Sequence, residues 1–205
     1  MKELLGNILP GYSVYEYQLV LVPHEELREK IAIVRKDFGT NYKLASVGKS
    51  RPHLVLTRFV QYGLMQERIV NHLKTIAMGF RPFKVELKDF GSFPTHTIYI
   101  NVTSKVPIQS LVKQVRTNTQ RLMKSNNDNK PQFILEPQMI IASKLLPWQY
   151  EKGWLEYSKK HFTARFIADG MLLLRRPAGS IPYTIVQRFE FENMPVTTTQ
   201  GQLFG

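Results

Sequence analysis

The 205-residue sequence contains no cysteine. It therefore has no disulfide framework and no thiolate nucleophile or metal ligand, a composition typical of a reducing compartment. No apolar stretch approaches the roughly 20 residues that a membrane-spanning helix needs. Pro10 and Gly11 also end the apolar N-terminal stretch too early for the core of a signal peptide. We expect a cytoplasmic protein that does not enter a membrane.

Acidic residues are also scarce, with 16 Asp and Glu against 28 Lys and Arg, which gives a net charge of +12. Such a surface favours polyanions through electrostatic steering and counterion release. The cations are spread along the chain, which argues against a disordered basic tail. His, Asp and Glu nowhere cluster at metal-ligand spacing, so we expect no metal and no other cofactor.

The hydrophobic share of 43% indicates a folded globular chain. Apolar spacing predicts both helices and strands, which gives an α+β fold. The predicted helices cover 27–38, 65–76, 107–122 and 148–157. The predicted strands cover 12–22, 53–59, 83–90, 96–102, 138–144, 162–176 and 183–192.

Two of the predicted strands open in the same way, with a proline, one polar residue and a run of apolar and β-branched residues. They cover 51–59 and 136–144. Side chains alternate across a strand. We therefore expect one face of the first strand to carry His53, Val55 and Thr57, and one face of the second to carry Gln138, Ile140 and Ala142.

A near-constant offset relates the two halves of the chain. Gln138 follows His53 by 85 positions, and two apolar helix positions recur 84 positions later, Leu27 at Leu111 and Ile31 at Val115. Such an offset across different element types indicates an internal duplication. We expect one bilobal domain over 1–205, with pseudo-symmetric lobes at about 24–102 and 107–192. Strand 12–22 joins the sheet, and a central cleft separates the two motif strands.

These features resemble the two-histidine (2H) phosphoesterase superfamily, which includes 2′-5′ RNA ligase-like proteins and 2′,3′-cyclic phosphodiesterases. The resemblance extends to Phe-Gly-Ser-Phe-Pro at 90–94 and to the apolar run at 166–174. In that family each lobe carries a strand with the pattern His-hydrophobic-Thr/Ser-hydrophobic. The resemblance implies two lobes of antiparallel sheet plus helices around the cleft.

The family's chemistry uses one histidine as base and the other as acid, while each hydroxyl side chain binds the phosphate. Only His53 matches this pattern. Val55 and Ile140 replace the hydroxyl residues, and Gln138 replaces the second histidine. Glutamine cannot shuttle a proton at physiological pH. Losing a general acid costs about 10²–10⁴ in rate, and the phosphate donors are absent as well, so we expect phosphodiester cleavage to be lost or much reduced. Because His53 is the one motif residue that remains, any catalysis would depend on it.

The remaining candidates are side chains that could contact a phosphate or a base near the expected cleft. The cations are Arg51, Arg58, Lys144, Arg165 and Arg175. Tyr15 and Tyr17 share a strand face and could stack on a base, although packing against a helix is their commoner use. His96 and His161 are the candidates for a substitute second histidine.

Three interpretations stay open. In the first, the protein binds RNA ends, nucleotides or another phosphorylated ligand in a basic cleft, with catalysis lost or much reduced. In the second, it is an active cyclic phosphodiesterase or RNA ligase that works through His53 with a non-standard partner. In the third, it is a protein-interaction module in which Val55 and Ile140 lie in an interface. Whether it is an enzyme is thus left undecided, and we expect a monomer.

Overall fold

The computed structural model describes residues 12–44, 51–127, 129–179 and 182–194. Its helices are α1 (Glu25–Asn41), α2 (Gln66–Met78), α3 (Lys105–Met123) and α4 (Pro147–Tyr157), and a 3₁₀ turn at Gly63–Met65 precedes α2. Its strands are β1 (Val14–Leu21), β2 (Leu54–Tyr62), β3 (Phe83–Phe93), β4 (Thr97–Val102), β5 (Gln132–Phe133), β6 (Met139–Ser143), β7 (Thr163–Ala168), β8 (Gly170–Pro177) and β9 (Thr184–Glu190).

The strands form two antiparallel sheets. The large sheet has the order β5-β2-β1-β8-β9, and the small sheet has the order β6-β4-β3-β7. The motif strands are β2 and β6, one in each sheet. The α+β fold with two antiparallel sheets and helices is therefore confirmed.

Each sheet is covered by two helices. Helices α2 and α3 pack on the large sheet, against β9 and β2, and helices α1 and α4 pack on the small sheet, against β6 and β4. Helices α1 and α4 also meet each other, with the rings of Phe38 and Tyr157 5.1 Å apart. In the described part of the chain, no helix is long and apolar enough to cross a membrane.

The lobes do not follow the sequence halves 24–102 and 107–192, so that boundary prediction is corrected. Strands β3 and β4 come from the first half but pair with β6 and β7, whereas β8 and β9 come from the second half and extend the large sheet. Helix α1 joins two strands of the large sheet yet packs on the small one, whereas α3 follows β4 of the small sheet, leads to β5 of the large sheet and packs on the large sheet. Periodicity shows which face of an element is buried, but it does not show which sheet buries it.

Both motif strands contain a register shift three residues after the first residue of the motif, which is His53 in one strand and Gln138 in the other. In β2, Thr57 pairs with Leu19 while Val55 pairs with Val20, so the shift falls at Leu56. In β6, the equivalent shift falls at Ile141. The matching irregularities fit the duplication, because bulges occur at defined positions in related strands.

These shifts correct the predicted faces of the motif strands. Leu19 and Val20 point to opposite faces, so their partners Thr57 and Val55 do too, and Thr57 is fully buried. Ala142 is likewise separated from Ile140. Simple alternation fails here because a bulge inserts one extra residue into the strand.

Candidate functional site

His53 lies just before β2 and is half-buried. Its Nδ1 is 2.7 Å from the backbone oxygen of Arg51. A carbonyl oxygen only accepts hydrogen bonds, so Nδ1 carries the hydrogen. In the neutral ring, Nε2 is then the nitrogen with the free lone pair.

The surroundings of His53 favour its neutral form. Burial lowers the pKa of the ring, the hydrogen bond to Arg51 opposes this, and the positive charges of Arg35 and Arg58 lower the pKa further. His53 is therefore a neutral base at physiological pH, with two cations close enough to influence its charge.

Arg35 is the functional candidate that sequence reasoning missed. It lies on α1 and is only 9% exposed, and its Nε donates a hydrogen bond to the backbone oxygen of Ile140 at 2.9 Å. Burial lowers its pKa to about 10, so it stays protonated at neutral pH. Arg35 thus links the motif strands, through a bond to β6 and an electrostatic effect on His53. Its position four residues after Ile31 places it in the apolar stripe of the helix, and this spacing was the sequence feature that could have indicated a buried arginine.

Gln138 occupies the second motif position, just before β6. Its Oε1 is buried and has no hydrogen-bond partner in the described part of the chain. A buried acceptor without a partner costs about 1–3 kcal/mol. Because this oxygen has almost no solvent-accessible surface, a ligand would reach it only after the side chain moved. Val55 and Ile140 are half-buried and supply no hydroxyl. We call His53, Val55, Gln138 and Ile140 together the motif site.

One face of the large sheet carries the polar side chains around Val55. Pairing places Gln18 beside Arg58, and Glu16 beside Arg176. Arg176 donates two hydrogen bonds to one oxygen of Glu16, at 2.5 and 2.7 Å. We call the surface formed by Glu16, Gln18, Val55, Arg58 and Arg176 the polar face.

Arg175, Tyr15 and Tyr17 do not lie on the polar face, which corrects three of the predicted contacts. Tyr17 is 1% exposed and stacks on Phe59 with 4.9 Å between ring centres. Arg175 lies over the ring of Tyr15 and donates to Gln66 of α2 at 2.7 Å. Successive side chains of a strand point to opposite faces of the sheet. The sequence alone did not show that Arg176, rather than Arg175, lies on the polar face.

The other predicted cations have different positions. Arg165 on β7 pairs with Glu86 and shares the sheet face of Ile140. However, β7 and β6 are opposite edges, about 14 Å apart at the usual strand spacing. Lys144 follows the far end of β6 and is exposed, and Arg51 is exposed beside His53. Only Arg58 of the predicted cations both lies on the polar face and influences His53.

Neither alternative histidine joins the motif site. His96 lies at the opposite end of the small sheet, where its Nδ1 is 2.6 Å from Thr97 Oγ1 and its backbone oxygen accepts from the amide of Leu145. His161 is exposed, with Nδ1 3.3 Å from Asp89 Oδ1. Among the described residues, no group of three or more His, Cys, Asp or Glu side chains could hold a metal ion.

The family model of the 2′-5′ RNA ligase superfamily matches residues 23–180. That match spans both motif strands and most of the two sheets. The chain belongs to the 2′-5′ RNA ligase superfamily. A comparison with curated proteins finds no match.

Several solved structures are similar to the chain over most of its length. TT0787 of Thermus thermophilus has a TM-score of 0.63 at 15% identity, with 86% of this chain and 98% of that one covered. E. coli LigT complexed with 3′-AMP has a TM-score of 0.63 at 14% identity, with 87% and 98% covered. At these identities the likeness establishes the shared fold.

Proposed function

We propose that the protein binds a phosphorylated nucleotide or an RNA end at the motif site, and that it has lost efficient phosphodiester cleavage. The observation that carries this proposal is the composition of the motif site. It keeps one histidine of the superfamily's pattern, and valine, glutamine and isoleucine stand at the other three positions.

The charges around His53 support anion binding. Arg35 and Arg58 both lower the pKa of His53, which means that the ring lies in a positive potential. A phosphate placed there would be stabilised by the same potential, and the buried Arg35 is screened less by salt than an exposed cation would be. E. coli LigT has been crystallised with 3′-AMP and with ATP, so nucleotides are the first ligand class to test.

The chemistry available at the site supports the loss of cleavage. Hydrolysis in this superfamily needs an acid on the leaving oxygen and donors on the phosphate. Gln138 cannot supply a proton at neutral pH, and Val55 and Ile140 have no donor.

Titration calorimetry with 3′-AMP and 2′,3′-cyclic AMP tests binding, and chromatography of the cyclic nucleotide tests cleavage. We expect wild type to bind without measurable turnover, and Arg58→Gln to lose about tenfold or more in affinity, since a hydrogen bond to a charged group contributes about 1.5–3 kcal/mol. Lys144→Gln removes another exposed cation elsewhere and is the matched control. Equal affinity of both variants would refute the proposed location.

One observation favours a second candidate, an active enzyme that uses His53 as its base. The Arg51 carbonyl holds the hydrogen on Nδ1, and the lowered pKa keeps Nε2 unprotonated, as a general base requires. Turnover of 2′,3′-cyclic AMP by wild type that His53→Ala abolishes would favour this candidate over a pure binding function.

A further inference from the structure

A groove with a volume of about 430 Å³ runs between α3 and the segment that leads into β5. It lies at the edge of the large sheet, because β5 is the outermost strand next to β2. Its lining combines cations, an amide and apolar rings: Arg116, Gln120, Lys124, Lys130, Pro131 and Phe133. The residues at 116, 120 and 124 recur every four positions, so they form one stripe along α3 and its C-terminal end.

The groove cations are not neutralised within the described part of the chain. Arg116 Nε donates to Gln120 Oε1 at 3.3 Å and Lys124 Nζ to Asn127 Oδ1 at 2.8 Å, and neither these two nor Lys130 forms an ion pair with a carboxylate of a described residue. Helix α3 itself contains no acidic residue. The acidic residue nearest in sequence, Asp128, lies outside the described residues.

The groove lies on the α3 side of the large sheet, opposite the polar face, and the two surfaces approach each other at the β5 edge. Gln132 of β5 pairs with Arg58 of β2, and Lys130 precedes Gln132 by two residues. Neighbouring strands are about 5 Å apart, and two extended residues span about 7 Å. Lys130 therefore lies within about 12 Å of Arg58 along the backbone. A ligand strand that lies in the groove would therefore reach the polar face by passing around the β5 edge.

We propose that this groove binds the backbone of a single-stranded polynucleotide whose end occupies the motif site. The proposal rests on the proposed nucleotide-binding function for the position of that end. Arg116, Lys124 and Lys130 would contact phosphates, and the half-buried ring of Phe133 together with Pro131 offers an apolar surface for a base. Basic grooves that track the backbone, with aromatic rings for stacking, are how proteins bind single strands without sequence preference. An acidic peptide would use the cations but not the stacking surface.

Binding of a single-stranded RNA of about ten nucleotides, measured by fluorescence anisotropy at several salt concentrations, tests the groove. The test variant combines Arg116→Gln, Lys124→Gln and Lys130→Gln. The control combines Lys36→Gln, Lys152→Gln and Lys159→Gln, which removes three exposed cations from the side of α1 and α4. Each phosphate contact on a single strand contributes about 0.7 to the slope of log affinity against log salt. We therefore expect the test variant to lose about 2 from that slope, and about a hundredfold in affinity at about 0.1 M salt.

The same proteins are titrated with 3′-AMP. Support requires that the test variant loses RNA affinity, that the control keeps most of it, and that the two variants bind 3′-AMP alike. Equal RNA affinity of the two variants overturns the groove proposal, and so does a wild type that binds the oligonucleotide no more tightly than 3′-AMP. If wild type fails to bind 3′-AMP while the groove variant still loses RNA affinity, the motif site has been misassigned but the groove stands.

Discussion

Replacing Arg35 by methionine removes a buried charge while keeping an unbranched side chain. Burial lowers the pKa of Arg35 from 12.5 to about 10, and each pKa unit corresponds to about 1.4 kcal/mol. Keeping the charge therefore costs the folded state about 3 kcal/mol. Its hydrogen bond to Ile140 returns about 1.5–3 kcal/mol, as expected for a charged donor. Because these contributions nearly cancel, we expect the free energy of unfolding to change by less than about 2 kcal/mol in urea denaturation.

The same substitution should raise the pKa of His53, because the charge of Arg35 lowers it. An NMR titration of the imidazole protons measures this shift, and calorimetry with 3′-AMP should show weaker binding. Arg28→Met is the control, since Arg28 lies on the same helix and pairs with Glu25 at 2.6 Å. A loss of more than about 3 kcal/mol with an unchanged His53 pKa would refute the reasoning and make Arg35 a purely structural residue.

Two further predictions concern stability. The folded-state pKa of His53 is below its unfolded value of about 6.5, so His53 contributes stability that is full above about pH 6.5 and is lost as the pH falls through the folded pKa. Urea midpoints should show this loss in wild type and a smaller one in His53→Gln, and identical pH profiles would contradict it. Gly91→Ala should destabilise by about 1–3 kcal/mol, because its Cβ would lie 2.5 Å from Cε2 of Tyr99. Thermal melts should show partial recovery when Tyr99→Leu is added, and a Gly91→Ala variant as stable as wild type would contradict the clash.

Local periodicity was sufficient for the four helices and, among the strands of the described residues, for all except the two-residue β5. The apolar stripe of α1 at Leu27 and Ile31 recurs in α3 at Leu111 and Val115, and all four side chains are buried. It was not sufficient for the exchange of strands and helices between sheets. Periodicity identifies a buried face without naming the element that covers it.

The site was predictable only in part, for related reasons. His53 and the other motif positions followed from the resemblance to a family. Which of Arg175 and Arg176 lies on the polar face depends on which alternate side chains of β8 point to that face, and the sequence does not show this. Nothing in the local composition indicates the bulge that places Thr57 and Val55 on opposite faces of β2. The importance of Arg35 depends on a contact with β6, which lies 105 residues further along the chain.

Restoring the superfamily's pattern tests most directly whether the motif site is a decayed active site. The variant combines Val55→Thr, Gln138→His and Ile140→Thr, and its stability should fall only modestly, because Val55 and Ile140 are half-buried rather than in a dry core. Hydrolysis of 2′,3′-cyclic AMP is then followed by chromatography in wild type, in the triple variant, and in the triple variant with His53→Ala. We expect no measurable turnover in wild type, turnover in the folded triple variant, and its loss on adding His53→Ala. Efficient wild-type turnover that survives His53→Ala would contradict a decayed active site at these residues.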